Sequence, residues 1–184
     1  AMSRPYAEVI GDPIAHSKSP LIHNFWLAKL GIDAEYRACH VKPRELADYF
    51  ARRRGDTEWR GCNITIPHKE SAARLIGGAN LLPGYPDFGA INLAVPVDGL
   101  LLGANTDVAG VVGPINLFHD HAFDHGPVPN RKIAVIGGGG AAKAAVFGLS
   151  HLNFPKSWRF LVRRPEQGEE LAQQCGGSAE VLPI

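Results

Sequence analysis

The stretch Lys132-Ile133-Ala134-Val135-Ile136-Gly137-Gly138-Gly139-Gly140-Ala141-Ala142-Lys143 decides the fold of the second half of this chain. Its apolar run predicts a buried parallel strand, and the alanine-rich run after the glycines predicts a helix. Gly137, Gly139 and Ala142 match the pattern G-x-G-x-x-G/A. In that pattern the glycines permit a tight turn and close approach of a pyrophosphate, and the small third residue lets helix and strand pack closely. The stretch therefore predicts a dinucleotide site at a helix N-terminus.

The choice of nucleotide depends on the end of the next strand, which we expect over Trp158–Val162. A site that prefers NAD usually carries Asp or Glu there to bind the ribose 2′-hydroxyl. This chain has Arg163 and Arg164 instead. Because a guanidinium suits a 2′-phosphate in charge and in bidentate geometry, the sequence favours NADP over NAD, with Arg163 the stronger candidate.

Composition excludes several classes of partner. The 184 residues carry a formal net charge of +1 and no basic stripe, which argues against nucleic acid. Cys39, Cys62 and Cys175 form no CxxC pair, so we expect reduced thiols in a cytoplasmic protein. No apolar run reaches the roughly 18 residues of a membrane span, and no signal peptide is visible, so no membrane partner is expected.

The first half alternates between predicted strands and helices, which indicates an α/β domain with a largely parallel sheet. Ser19 and Pro20 predict a helix start, with serine as the N-cap, and an apolar stripe at helical spacing follows. The stripe consists of Leu21, Ile22, Phe25, Trp26 and Leu30. The predicted strands are 7–10, 34–41, 62–66, 89–97 and 100–103, and the predicted helices are 19–30, 43–54, 67–76 and 106–117.

A hydrophilic stretch at 119–130 suggests the boundary between two domains. We therefore expect a substrate-binding and catalytic domain at 2–118, a linker at 119–130, and the first half of a Rossmann NADP-binding domain at 131–184. The linker contains His119-Asp120-His121 and Asp124-His125. A polar loop explains them better than a metal site does, so no metal is expected.

Four segments of the first half are rich in small polar groups that suit a polyhydroxy ligand. They are Ser17-Lys18-Ser19-Pro20, Asn63-Ile64-Thr65-Ile66-Pro67-His68-Lys69, Gly89-Ala90-Ile91-Asn92 and Asn105-Thr106-Asp107. On a strand, Asn63 and Thr65 would point to the same face, and Lys69 follows just beyond it.

These segments, in this order and ahead of a glycine-rich loop, resemble the shikimate dehydrogenase family along essentially the whole chain. The matching runs are GDPIAHSKSP at 11–20, NITIPHK at 63–69, GAIN at 89–92, GANTD at 103–107 and GGGGAA at 137–142. The resemblance implies an N-terminal α/β substrate domain followed by a Rossmann-like dinucleotide-binding domain. It also implies an NADP-dependent oxidoreductase that reversibly reduces 3-dehydroshikimate to shikimate, a step toward chorismate and the aromatic amino acids.

The resemblance further implies a role for each matching residue. Ser17 and Ser19 would bind the substrate carboxylate, and Lys69 and Asp107 would form the catalytic pair. The ring hydroxyls would be bound by Asn63, Thr65, Asn92 and Asp107. The cofactor would be bound by Gly137, Gly138, Gly139, Gly140, Ala141, Ala142, Arg163 and Arg164. We expect a monomer or a homodimer.

The chemistry of the predicted pair fits hydride transfer. When hydride reaches a carbonyl carbon, negative charge grows on its oxygen, and an ammonium such as Lys69 stabilises it and supplies a proton. A carboxylate near this lysine raises its pKa, whereas desolvation lowers it. Asp107 therefore acts either as a base or as an orienting partner that accepts a hydroxyl proton, and the sequence leaves both roles open.

The end of the chain departs from the family pattern. A complete dinucleotide domain has two βαβαβ halves, and only the first is recognisable before Ile184. We therefore expect this sequence to be part of a longer protein. Three alternatives stay open: a paralogue acting on quinate, a non-catalytic shikimate-type ligand-binding module, and a folate-linked dehydrogenase of similar layout. The paired serines at 17 and 19, together with Lys69 and Asp107, favour the shikimate enzyme over all three.

Overall fold

A computed structural model describes residues 4–122, 131–152 and 156–184. The chain divides into two compact units, one up to Asn105 and one from Thr106 onward. This division lies before the hydrophilic stretch 119–130, most of which is outside the described residues. The domain bounds given by the sequence therefore stay a prediction.

The first unit is built on a five-stranded sheet with the order β2-β1-β3-β4-β5. Its strands are β1 (Tyr6–Gly11), β2 (Glu35–His40), β3 (Trp59–Ile64), β4 (Leu93–Val97) and β5 (Leu100–Ala104). The strands β1, β2 and β3 are parallel, whereas β4 and β5 run antiparallel to their neighbours. The expectation of a largely parallel sheet is thus correct only for β1 to β3. A tight turn at Asp98 and Gly99, both with positive φ, makes β4 and β5 a hairpin and forces the antiparallel pairing.

Helices connect and cover these strands. They are α1 (Ser19–Lys29), α2 (Leu46–Arg54), preceded by a 3₁₀ turn at Pro43–Glu45, and α3 (Lys69–Ile76). The main core gathers aromatic and aliphatic side chains of β1, β3 and α2, among them Trp59, Tyr49 and Ile10. A smaller cluster of Val9, Ile14 and Tyr36 packs with Leu27 of α1. The two clusters contain alternate residues of β1, because successive side chains of a strand point to opposite faces.

The apolar stripe of α1 does not form part of the core. Leu21 is 72% exposed, Phe25 58% and Trp26 50%, and α1 has no buried residue. Helical periodicity shows which face of a helix is apolar, but it does not show what that face contacts.

The second unit begins with α4 (Asp107–Ala122) and continues with a three-stranded parallel sheet of the order β6-β7-β8. Its strands are β6 (Arg131–Ile136), β7 (Lys156–Val162) and β8 (Ser178–Pro183), and its further helices are α5 (Gly140–Ser150) and α6 (Pro165–Gln174). Trp158, Phe160 and Leu171 are buried in its core. The predicted strand, glycine turn, helix and second strand are therefore confirmed as elements of one parallel sheet.

Cys39, Cys62 and Cys175 are all unpaired by disulfides, in agreement with the expectation of reduced thiols. In the part of the chain that the structure describes, no helix is both long and apolar enough to cross a membrane.

Candidate functional site

The segment after β3 folds back on the end of β1. Thr65 donates its backbone N–H to the carbonyl of Ile10 at 3.0 Å, and Asp12 donates to the carbonyl of Ile66 at 3.1 Å. The strand ends at Ile64, two residues before the predicted end. Thr65 lies one residue beyond the strand, so the expectation that it shares a face with Asn63 stays a prediction. Thr65 begins a turn that the His68 N–H closes on the Thr65 carbonyl at 2.9 Å.

Gly11 leaves the room that this turn needs. A Cβ at this position would lie 2.7 Å from the Thr65 Cγ2 atom and 3.0 Å from the Ile66 carbonyl oxygen. Both distances are shorter than ordinary van der Waals contacts, and the second atom belongs to the backbone. We therefore infer that Gly11 is required for close packing of the 65–68 turn against β1.

This packing predicts the effect of Gly11→Ala. We expect a loss of about 1–3 kcal/mol in the free energy of unfolding, as in other overpacked sites, measured by urea denaturation. Gly55→Ala is the matched control, because the Cβ there would meet only the Arg52 carbonyl oxygen at 3.8 Å. Equal stability of the two variants would show that the turn adapts freely.

Lys69 is the first residue of α3, immediately after the buried His68. The His68 Nε2 atom lies 2.6 Å from the Val41 carbonyl oxygen, so this nitrogen carries the proton and donates it. The ring thus anchors the start of α3 to the end of β2. This geometry gives His68 a role in packing and hydrogen bonding.

Backbone hydrogen bonds tie the third and fourth polar segments to the same place. Ile91 donates to the carbonyl of Lys69 at 3.1 Å, and Ile64 donates to the carbonyl of Asn92 at 2.8 Å. Asn92 donates to the carbonyl of Ala104 at 3.0 Å, and the buried Asn105 side-chain amide donates to the Ala90 carbonyl at 3.0 Å. The Asn63, Lys69 and Asn92 segments therefore meet at one end of the first sheet.

The two serines lie where the loop after β1 enters α1. The Ser17 hydroxyl accepts the backbone N–H of Ser19 at 3.3 Å. Lys18 is the N-cap residue and Ser19 the first residue of the helix, so the prediction of Ser19 as the N-cap is wrong by one position. The Ser17 hydroxyl, and not that of Ser19, therefore satisfies a backbone donor at the helix start.

Asp107 is the first residue of α4, two residues beyond Asn105, and it belongs to the second unit. A carboxylate in the first turn of a helix interacts favourably with the helix dipole. Its pairing with Lys69 stays a prediction.

One residue outside every motif contacts the predicted site. The hydroxyl of Tyr36 on β2 donates to the Asn63 Oδ1 atom at 2.6 Å. Burial raises the pKa of this phenol, so it keeps its proton and remains a donor. Tyr36 is far from Asn63 in sequence, and no spacing rule connects the two residues, so sequence reasoning did not find this contact.

The glycine turn of the second unit has the geometry that a dinucleotide loop needs. Gly137 has a φ of 98° and donates to the Leu161 carbonyl at 2.8 Å, which ties the turn to the neighbouring strand. Gly139 is the extended N-cap of α5. Ala142 packs against the core of this unit. The first turn of α5 thus directs its backbone N–H groups toward the end of β6, where an anion is favoured.

Arg163 and Arg164 lie at the same end of this sheet. They follow Val162, the last residue of β7, and both are exposed. The Arg164 Nε atom is 4.0 Å from a carboxylate oxygen of Glu166, and both side chains are about two-thirds exposed. An ion pair of this kind contributes little to stability, so it leaves Arg164 available for a phosphate.

No group of three or more His, Cys, Asp or Glu side chains in the described residues could hold a metal ion. The side chains of His119 to His125, which the sequence considered for such a site, lie outside the described residues.

The fold and the two sites define a class: two-unit α/β proteins that combine a small polar ligand site with a Rossmann-like nucleotide-binding unit. Residues 9–92 match the model of the shikimate dehydrogenase substrate binding domain. Over these residues the chain is similar to the shikimate dehydrogenases, the family that its sequence motifs resemble.

Individual relatives support this assignment. The chain is 48% identical to the NADP-dependent shikimate dehydrogenase of Sphingopyxis alaskensis, over 98% of this chain and 62% of that protein. It is 41% identical to the enzyme of Methylobacterium radiotolerans, over 86% and 55% of the two chains. The Thermus thermophilus shikimate 5-dehydrogenase, solved with NADP(H) and shikimate, superposes with a TM-score of 0.70 at 30% identity, over 96% and 62%. The chain therefore spans less than two thirds of the length of these relatives.

Proposed function

We propose that the protein is an NADP-dependent oxidoreductase that reversibly reduces 3-dehydroshikimate to shikimate by hydride transfer. The observation that carries this proposal is the meeting of the Asn63, Lys69 and Asn92 segments at one end of the first sheet. The names of the homologous enzymes support the same reaction. The proposal applies to the whole protein, of which this chain supplies the substrate unit and a nucleotide-binding unit.

The substrate contacts follow from the chemistry of the side chains. Hydroxyl groups of Ser17 and Ser19 would donate to the carboxylate of shikimate. Amide and hydroxyl groups both donate and accept, which suits the ring hydroxyls. Asn63, Thr65 and Asn92 would make these ring contacts, and the Asp107 carboxylate would accept from a ring hydroxyl.

Lys69 would supply the proton. During reduction, hydride adds to the carbonyl carbon, the carbon–oxygen double bond becomes single, and the oxygen takes a proton from the Lys69 ammonium. In the reverse direction the neutral amine accepts that proton. Asp107 would orient the lysine and a ring hydroxyl, or act as the base itself.

The residues of the glycine turn fit a dinucleotide. Backbone N–H groups at 137–142 would bind the pyrophosphate, and Arg163 with Arg164 would bind the 2′-phosphate. Bound NADP(H) supplies the hydride. Gly137 fits this role because its positive φ is a conformation that most side chains avoid.

The expected partners are therefore small molecules, with neither nucleic acid nor a membrane. A monomeric or homodimeric state and a cytoplasmic location remain predictions from the sequence. The three reduced cysteines are compatible with that location.

The test is the initial rate of nicotinamide reduction with shikimate and with quinate, each with NADP and with NAD. Turnover of shikimate with NADP, at a much higher rate than any other combination, is the expected result. Quinate turnover at a similar rate would indicate the paralogue. Shikimate binding without turnover of either compound would indicate a non-catalytic ligand-binding module.

Arg163→Ala tests the choice of cofactor. Removing a charge-assisted contact to the 2′-phosphate should raise the KM for NADP by about 10- to 100-fold and leave NAD use nearly unchanged. Arg159→Ala is the control, because Arg159 lies on β7, the strand that Arg163 follows, is exposed and pairs with Glu180 at 2.8 Å. An equal effect of Arg163→Ala on both cofactors would refute the 2′-phosphate role.

A further inference from the structure

The hydroxyl of Tyr36 contacts Asn63, one of the residues proposed to bind the substrate. Tyr36 is 6% exposed, and its hydroxyl donates to the Asn63 Oδ1 atom at 2.6 Å. Asn63 itself is half-buried on β3. The phenol therefore occupies one end of the Asn63 amide group.

Tyr36 is itself held in place by α1. The Asn24 side chain donates from Nδ2 to the Tyr36 carbonyl at 2.7 Å and accepts the Tyr36 N–H at its Oδ1 at 2.9 Å. The His23 ring stacks on the Tyr36 ring, with centroids 4.1 Å apart and an interplanar angle of 21°. The backbone and the ring are thus both fixed, and the hydroxyl has one position relative to β3.

The direction of this hydrogen bond determines what Asn63 offers to a ligand. A side-chain amide has an oxygen that accepts and a nitrogen that donates. Because the Tyr36 hydroxyl donates to Oδ1, a flipped amide would place Nδ2 at the phenol and expose Oδ1 instead. The phenol can accept from Nδ2 only by turning its own proton to another acceptor. The observed orientation leaves the two Nδ2 hydrogens to interact elsewhere.

We propose that Tyr36 is a positioning residue that holds the Asn63 amide with its Nδ2 donors toward the substrate. This inference rests on the proposed function, in which Asn63 binds a ring hydroxyl. In this arrangement the ring hydroxyl accepts from Asn63 and donates its own proton to a different group. Tyr36 therefore sets the direction of one substrate hydrogen bond without contacting the substrate.

The test is a comparison of Tyr36→Phe with Tyr49→Phe. Both residues are buried tyrosines of the first unit whose hydroxyls donate to a neighbouring side chain, Tyr49 to Glu8 at 2.7 Å. Tyr36→Phe should raise the Kd for shikimate by about 3- to 10-fold, the effect of one hydrogen bond. Tyr49→Phe should leave the Kd for shikimate unchanged. Both variants should lower the urea midpoint by similar amounts, so Tyr49→Phe controls for a purely structural effect.

A double-mutant cycle separates positioning from direct contact. If Tyr36 acts through Asn63, Tyr36→Phe should have little further effect on the shikimate Kd in an Asn63→Ala background. The same 3- to 10-fold loss in both backgrounds would overturn the proposal, as would an unchanged Kd for Tyr36→Phe in the otherwise native chain. If the native chain fails to bind shikimate, the proposed function fails, and this inference fails with it.

Discussion

Lys69→Ala should lower kcat by about 10²- to 10⁴-fold, the usual contribution of a general acid, and leave the shikimate Kd nearly unchanged. The reason is that charge develops on the substrate oxygen only in the transition state, so the ammonium contributes more there than in the ground state. Steady-state rates, with calorimetric titration of shikimate, measure both quantities.

A second lysine of the same unit provides the control. Lys29 lies in the last turn of α1, exposed above the rings of Phe25 and Trp26. Lys29→Ala should leave kcat and the shikimate Kd unchanged. If Lys69→Ala weakens shikimate binding without a specific loss of turnover, Lys69 is a binding residue and the proton comes from another group.

Arg53→Met should destabilise the protein by about 3–5 kcal/mol, because it removes one partner of a buried ion pair. Glu8 is 2% exposed and accepts two hydrogen bonds from the Arg53 guanidinium, at 2.7 and 2.8 Å. The Tyr49 hydroxyl is its third donor, at 2.7 Å. Methionine keeps much of the aliphatic volume of arginine, so the loss of stability arises mainly from the uncompensated Glu8 carboxylate. Urea denaturation measures the free energy of unfolding of both proteins.

An exposed ion pair is the control that shows whether burial causes the expected loss of stability. Arg4 and Asp33 lie 2.8 Å apart, with side chains 50% and 91% exposed. Arg4→Met should change the free energy of unfolding by less than about 1 kcal/mol. Similar losses for the two variants would mean that the Glu8 carboxylate becomes protonated or hydrated when Arg53 is absent. In that case the buried ion pair contributes little to the free energy of unfolding.

The second unit was the most predictable part of the molecule. The order of strand, glycine turn and helix at 131–150 depends on local properties, since Gly137 needs a positive φ and Ala142 needs to be small. Such requirements are visible within a dozen residues. The same is true of the turn at Asp98 and Gly99, which fixes the β4–β5 hairpin.

Features that depend on distant parts of the chain were harder to predict. The strand containing Asn63 ends at Ile64 because a turn closed between Thr65 and His68 follows it, and this turn packs against β1. The contact between Tyr36 and Asn63 joins two strands that both flank β1. The exposure of the apolar face of α1 could not be predicted from the sequence either, because the exposure of Trp26 depends on which elements pack nearby.

A crystal structure of the protein with shikimate bound is the decisive experiment for the proposed substrate site. We expect the carboxylate to lie on the hydroxyls of Ser17 and Ser19 and the Lys69 ammonium to lie within hydrogen-bond distance of a ring oxygen. The ring hydroxyls should contact Asn63, Thr65 and Asn92. Shikimate bound elsewhere, or bound with Lys69 out of reach, would contradict the proposed site.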